Sequence, residues 1–381
     1  MKKFLTAILL FFFSVFLFIF STPSPLSAAE QIPVVLTERA HMGLDGTFYD
    51  DELASLLLPS QRLGQLVFAP TRANKVWYID AALLDQVQAM TDGYSVRVAG
   101  KVDEVTAGTG MTIASSWLAA LKQVVRINTV YALPYGAPAS SWLERVAPNE
   151  LRYYEANSQL KVIFYSGKYA DMVAQYPGQK SPSIPGETQN TYFQLRRDLK
   201  GFLKVLDIQD TDPYRLGISQ LTSPSLSRND SLRLARVFSQ DFQSLSKRLR
   251  VVVGKYTITS TNEKIPVTIV NNFNKDVTLS MAVTPLNGKV TVSPIRDFTV
   301  AAQSKLIVPI KVHVVASGTS TLMVQLKSPE AVSVGKPVEL PLRLSVISPI
   351  ATWITTVSAI VLLLAGVTQS VRRVKKRNHE R

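Results

Sequence analysis

Residues 76–90 read Val76-Trp77-Tyr78-Ile79-Asp80-Ala81-Ala82-Leu83-Leu84-Asp85-Gln86-Val87-Gln88-Ala89-Met90. Four large apolar residues in an unbroken run, then a carboxylate, then apolar residues at helical spacing, describe a buried strand Val76–Ile79 that ends at Asp80 and yields to a helix over Ala82–Met90. Outward from this stretch the alternation repeats. Strands are predicted at Ile32–Leu36, Thr129–Leu133 and Val162–Tyr165, and helices at Asp50–Leu58, Gln61–Phe68, Ser115–Val125, near Trp142–Val146 and near Pro148–Ser158. Strand-helix alternation implies an α/β parallel-sheet domain with helices on its faces, and four strands make it an open sheet or an incomplete barrel. Helical patterns at Tyr192–Leu206 and Asn229–Leu249 complete a domain over residues 30–249.

From residue 250 the period changes. Lys264-Ile265-Pro266-Val267-Thr268-Ile269-Val270, the turn Asn271-Asn272-Phe273-Asn274-Lys275 and Asp276-Val277-Thr278-Leu279-Ser280-Met281-Ala282-Val283 are predicted to form a hairpin. Further alternating runs at Val290–Val292, Phe298–Val300, Leu306–Val312, Thr319–Leu326 and Val338–Val346 predict an all-β immunoglobulin-like sandwich over residues 250–347.

Both termini point to a membrane. Lys2 and Lys3 precede an apolar run from Phe4 to Phe20 and a Pro/Ser stretch ending Ser27-Ala28-Ala29, which is the pattern of a signal peptide over residues 1–29. Ile350 to Val371 carries no charge, so residues 349–371 are predicted to form a single transmembrane helix with Trp353 at one interface. Arg372, Arg373, Lys375, Lys376 and Arg377 open a basic tail over residues 372–381. Positive residues favour the cytoplasmic side, which places the C-terminus inside and about 320 residues in an extracytoplasmic region at the cell membrane.

The formal net charge is +14, of which Lys2 and Lys3 carry +2 and the tail +5, leaving +7 on the outer region. That surplus is dispersed among acids, so no nucleic-acid partner is inferred. The chain has no cysteine, which excludes disulfides, thiol nucleophiles and thiolate metal sites. Its three histidines, His41, His313 and His379, lie in three separate regions, too dispersed for a zinc-dependent deacetylase, and no metal or cofactor is expected. His41 is the only plausible base for a serine hydrolase, but no G-x-S-x-G elbow accompanies it. Ala107-Gly108-Thr109-Gly110-Met111 lacks the third glycine of a dinucleotide loop. The acidic stretches Asp45–Asp51 and Asp207–Asp212 lack calcium-loop spacing and suit solvated turns and helix starts.

Ligands of parallel sheets bind beyond the carboxyl ends of the strands. Those ends carry Thr37-Glu38-Arg39, Asp80, Pro134-Tyr135 and Ser166, so Glu38, Asp80, Tyr135 and Ser166 are expected to share one ligand-facing edge. Asp80 and Glu38 are the candidate catalytic carboxylates, with Asp50, Asp51 and Glu52 available to complete a glycosidase pair. The more ordinary role for Asp80 is to cap the helix that follows it.

The chain resembles a family of uncharacterised actinobacterial membrane-anchored envelope proteins. The resemblance rests on Asp50-Asp51-Glu52-Leu53 with Arg62-Leu63, Val76-Trp77-Tyr78-Ile79-Asp80 with Leu83-Leu84, Trp117-Leu118, Leu133-Pro134-Tyr135, Ile265–Asn272 and the basic tail. It implies a signal peptide, an α/β region, a C-terminal sandwich and one span, without a known activity. The family pattern has a proline after the strand-ending Asp and an acidic pair after Pro-Tyr, where this chain has Ala81 and Gly136-Ala137-Pro138. Longer members also carry an additional sandwich ahead of the α/β region.

Together these features favour a non-enzymatic binding or scaffold module for wall glycan, a lipid-linked precursor or a partner envelope protein. The alternative is a carbohydrate-active hydrolase using a carboxylate pair that includes Asp80.

Overall fold

The computed structural model describes residues 31–69, 75–101, 104–179, 183–345 and 349–377. The signal peptide expected at residues 1–29 and the end of the basic tail lie outside the described residues. The chain mixes helix and sheet and divides into two compact units, Met1–His41 with Phe48–Ser181, and Met42–Thr47 with Pro182–Arg381.

The first unit runs β1 (Ile32–Leu36), α1 (Glu52–Leu56), α2 (Arg62–Phe68), β2 (Lys75–Asp80), α3 (Ala81–Thr91), β3 (Ser95–Arg97), β4 (Val105–Ala107), α4 (Met111–Val125), β5 (Thr129–Leu133), α5 (Ser140–Val146), α6 (Pro148–Ser166) and β6 (Asp171–Met172). Four parallel strands pair in the order β1-β2-β5-β6, with Val34 opposite Trp77, Trp77 opposite Val130 and Tyr131 opposite Asp171. Among the described residues β1 and β6 end the sheet, which is open. Trp77 and Trp117 are fully buried, and the Trp117 indole N–H donates to the Leu63 carbonyl at 3.0 Å.

The strand expected at Val162–Tyr165 is not one; these residues continue α6. Pro148 opens the helix, and Gly167, at φ +68°, closes it with its amide on the Ile163 carbonyl. Leu151, Tyr154, Ser158, Val162 and Ser166 recur every three or four residues on the buried face, whereas Phe164 is 77 % exposed. A β-branched and aromatic run looks like a strand locally, but the burial period is helical. The fourth strand is instead the two-residue β6.

The second unit begins with α7 (Gly186–Phe202), α8 (Ile208–Gly217), a 3-10 turn (Ile218–Thr222) and α9 (Arg228–Arg248), followed by β7 (Leu249–Val252), β8 (Tyr256–Ile258), β9 (Asn262–Asn271), β10 (Val277–Pro285), β11 (Val290–Val292), β12 (Phe298–Val300), β13 (Ser304–Val314), β14 (Gly318–Lys327), β15 (Ser333–Leu344) and α10 (Pro349–Arg377). Ser227 caps α9 through the Asp230 amide at 3.1 Å and donates its hydroxyl to the Asp230 carboxylate at 2.5 Å. The helical segment expected with the α/β region groups with the sandwich strands in this second unit. Gly201 of α7 lies so close to β15 that an added Cβ would stand 2.0 Å from the Ser333 carbonyl oxygen. The turn at Met42–Thr47 also belongs here, its Leu44 amide donating to buried Asp241 at 2.8 Å.

The sandwich strands form two sheets, β12-β10-β14-β15-β8 and β11-β13-β9-β7. The hairpin expected between β9 and β10 is absent, because β9 pairs with β13 and β7 while β10 pairs with β12 and β14. Asn271 explains the crossing. Its fully buried side chain accepts from the Phe273 amide at 3.0 Å and donates to the carbonyls of Lys275 (2.8 Å), Val300 (3.1 Å) and Ala301 (3.0 Å). This holds a corner around buried Phe273 and sends the chain into the other sheet. His313 lies on β13 with its Nδ1 2.8 Å from Asn262 Oδ1 at the surface.

Trp353–Arg372 of α10 is long and apolar enough to cross a bilayer, and none of it is buried in the protein. This single helix is consistent with a membrane anchor, with Trp353 exposed near its start and Arg372 at its end. Arg373, Lys375, Lys376 and Arg377 continue the helix.

Candidate functional site at the carboxyl ends of the parallel strands

Asp80 ends β2 and is 1 % exposed. One carboxylate oxygen, Oδ1, accepts from the Ala82 amide at 2.9 Å, capping α3, and from the Gly136 amide at 2.8 Å, beyond β5. Gly136 can point its N–H this way because the turn after Leu133 takes φ +77°, a conformation open to glycine. The carboxylate thus ties the ends of two neighbouring strands together. Burial raises the Asp80 pKa to about 7, helped by the charge of Asp85 and opposed by the two amides.

Asp85, just over one turn further along α3, gathers a second set of partners. Tyr135 donates to its Oδ2 at 2.8 Å, Tyr165 to its Oδ1 at 2.7 Å, and the Lys161 ammonium lies at 3.0 Å. Burial and then the Asp85 charge push the Tyr135 phenol well above its usual pKa, and the same causes raise that of Tyr165. Both phenols therefore remain protonated donors.

Beside this lies the end of β1. Glu38 accepts from the Arg39 amide at 2.9 Å and pairs with Arg62. Arg39 bridges Asp50 at 3.1 Å and Glu52. His41 is fully buried, with its amide on Gln86 of α3 at 2.7 Å and its Nδ1 2.5 Å from Asp50 Oδ1. Burial alone would raise the Asp50 pKa, but the hydrogen bond and charge of His41 and the charge of Arg39 outweigh it and hold the carboxyl below its usual value. His41, Asp50 and Glu52 could bring three ligand atoms to one cation. The Arg39 guanidinium already bridges the two carboxylates, which makes the group a charge-balanced cluster and a poor fit for a metal.

Of the four expected edge residues, Asp80 and Tyr135 come together, and Glu38 stands at the same end of the sheet in the neighbouring cluster. Ser166 does not join them. It closes α6 and precedes β6, and Lys168 just beyond it donates to the Arg126 carbonyl ahead of β5, at the amino end of the strands. Asp85, Lys161 and Tyr165 were missed. Lys161 and Tyr165 are four residues apart and share a face only if this segment is helical, so the mistaken strand concealed them.

No curated protein matches the chain. Among solved structures, Escherichia coli alpha-2-macroglobulin, from its domain MG7 to its C-terminus, aligns with 25 % of this chain at 12 % identity and TM-score 0.21, and the alignment spans 16 % of that chain. The PapD-like domain 7 of human CEP192 aligns with 26 % of this chain at 12 % identity and TM-score 0.21, over 86 % of its own length. WR4, a member of the Caenorhabditis elegans MSP family, aligns with 26 % at 13 % identity and TM-score 0.20, over 98 % of its length. Residues 215–378, which run from α8 through the sandwich and α10, match the family of unknown function (DUF6049).

Proposed function

We propose that the chain is a single-pass envelope protein of the actinobacterial type, and that its parallel-sheet unit is a non-enzymatic binding module for wall glycan, a lipid-linked precursor or a partner envelope protein. In this proposal the signal peptide exports residues 30–347 and the basic tail stays in the cytoplasm. One observation carries the non-enzymatic reading: the edge carboxylates are committed to internal partners. Asp80 Oδ1 serves two amides, Asp85 serves two phenols and an ammonium, and Glu38 serves Arg62 and a backbone amide. A general acid or base needs a group that can reach substrate, whereas a carboxylate with its partners already in place builds a rigid polar surface. Asp85 and Lys161 stand at the accessible side of this network and are the proposed contact residues.

The test uses the full chain in lipid nanodiscs, mixed with insoluble wall glycan and sedimented. Co-sedimentation that weakens in Lys161→Ala, with no release of reducing ends, is expected. Failure to bind wall glycan, a lipid-linked precursor and any co-purifying envelope protein overturns the proposal.

A second reading draws on the Asp80 pKa of about 7, a value suited to a general acid, with Asp85 close enough to act on it. It makes the unit a hydrolase using a carboxylate pair. It requires that reducing ends appear and that Asp80→Asn abolishes them. Burial of Asp80 weighs against it.

A further inference from the structure

The second unit holds a groove unrelated to the Asp80 edge. It lies between α7, α9 and the strands β7, β14 and β15, with a volume of about 470 Å³. Sites for small molecules run from about 300 to 1,000 Å³. Its shape is set by covalent and steric constraints. Helix α9 passes into β7 at Leu249 with no linker, so helix and strand diverge from one point. Helix α7 is pinned to β15 beyond the groove by the close approach of Gly201 to Ser333, and Lys204 pairs with Glu330 at 2.9 Å. Phe202 meets Phe242, which lines the groove, edge to face at 5.8 Å.

The lining is two-sided. Leu195, Phe242, Leu326 and Val334 supply an apolar floor. Lys247, Arg250 and Lys336 stand on the rim against a single carboxylate, Asp198, with which Lys336 interacts electrostatically. Arg250 is steadied by donating to the Lys247 carbonyl, which holds its guanidinium at the mouth. A neutral glycan would leave the floor without an apolar partner, and a neutral hydrocarbon would leave the cationic rim without one. A molecule with an anionic head and an aliphatic body satisfies both.

We infer that this groove binds an anionic amphiphile, its carboxylate or phosphate head at Lys247, Arg250 and Lys336 and its aliphatic chain along Leu195, Phe242, Leu326 and Val334. The inference concerns a different unit from the proposed binding edge and stands or falls independently of it.

The full chain in neutral phosphatidylcholine nanodiscs is titrated with 11-(dansylamino)undecanoic acid, and emission is read above that of protein-free discs. Saturable binding is expected, weakened about ten-fold or more in the double variant K247E/K336E, as the loss of charge-assisted contacts requires. Dodecanoate and dodecyl phosphate should displace the probe and dodecanol should not, and the stronger of the two anions identifies the head group. Equal displacement by dodecanol, or unchanged affinity in K247E/K336E, overturns the inference. So does absence of saturable binding to wild-type protein that melts cooperatively.

Discussion

The parallel sheet and the sandwich bury polar groups in opposite ways. The first unit buries ionisable side chains, His41 and Asp80, at one edge of its sheet. Among the described residues the sandwich strands bury no charged side chain, and their main buried polar group is neutral Asn271, which builds a corner. Topology explains the contrast. In a parallel sheet with helical crossovers, strand ends and helix starts collect on one edge, where many backbone amides need acceptors. In an antiparallel sandwich the turns alternate between two ends and each is satisfied locally. The lesson is that a buried charge at the edge of a parallel sheet first answers a structural demand.

The sharpest way to break this comparison is to remove the central polar group in each unit. Asn271→Ala removes the acceptor of the Phe273 amide and the two N–H donors shared among three carbonyls, and is expected to cost about 3–4 kcal/mol. Asp80→Ala removes a helix cap and leaves the Gly136 amide unpaired, at about 2–4 kcal/mol. Hydrogen exchange on the full chain should place the first loss in peptides spanning 262–285 and the second in peptides spanning 76–91. A loss spread evenly over both units by either variant would contradict two separately built polar cores.

Gly201→Ala tests the seam between helix and sandwich. A Cβ 2.0 Å from the Ser333 carbonyl forces a backbone shift, so about 2–3 kcal/mol is expected, read as faster exchange in α7 and β15.

The ionisable and neutral polar groups should also differ in pH response. Asp80 has a folded pKa of about 7 against an ordinary 3.8, so between about pH 4 and 7 the folded state keeps a proton that the unfolded chain has released. Its contribution is therefore most favourable below pH 4 and declines as pH rises to 7. Asp80→Asn can still accept from both amides without burying a charge. Thermal melts should show a flatter profile for this variant and, at pH 8, a gain of order 2 kcal/mol over wild type. A parallel profile for the two proteins would show that Asp80 is ionised when folded.

The smallest effect is expected at the half-exposed Arg62, whose pairing with Glu38 lies at the surface. Arg62→Ala should cost less than about 1 kcal/mol, and less still in high salt.

Local features were legible before the fold was known. The strand-carboxylate-helix junction at Val76–Met90, the Thr129–Leu133 strand and the sandwich strands up to Thr319–Leu326 appear where their periodicities place them, while the run expected at Val338–Val346 falls in a strand Ser333–Leu344 and its Val346 lies outside the described residues. The candidate edge was half legible. Asp80 and Tyr135 follow from the carboxyl-end rule, but Asp85, Tyr165 and Lys161 meet only because α6 is helical through Ser166 and returns across α3. The β9 and β10 segments show the same limit, since both strands were recognised and their partners were not.

The sequence by itself determined the element types, Val162–Tyr165 excepted, and the membrane-length apolar segment, because propensity, capping and hydrophobic period are written in contiguous residues. Tertiary structure alone decided that Asp80 is a buried tie between two strand ends, that Asn271 turns the chain into the opposite sheet, that α7 through α9 group with the sandwich, and that a groove with a basic rim opens beside them. Those outcomes depend on pairing between residues tens to more than a hundred positions apart, and chain-closure entropy and burial choose among such pairings only when the whole fold competes at once.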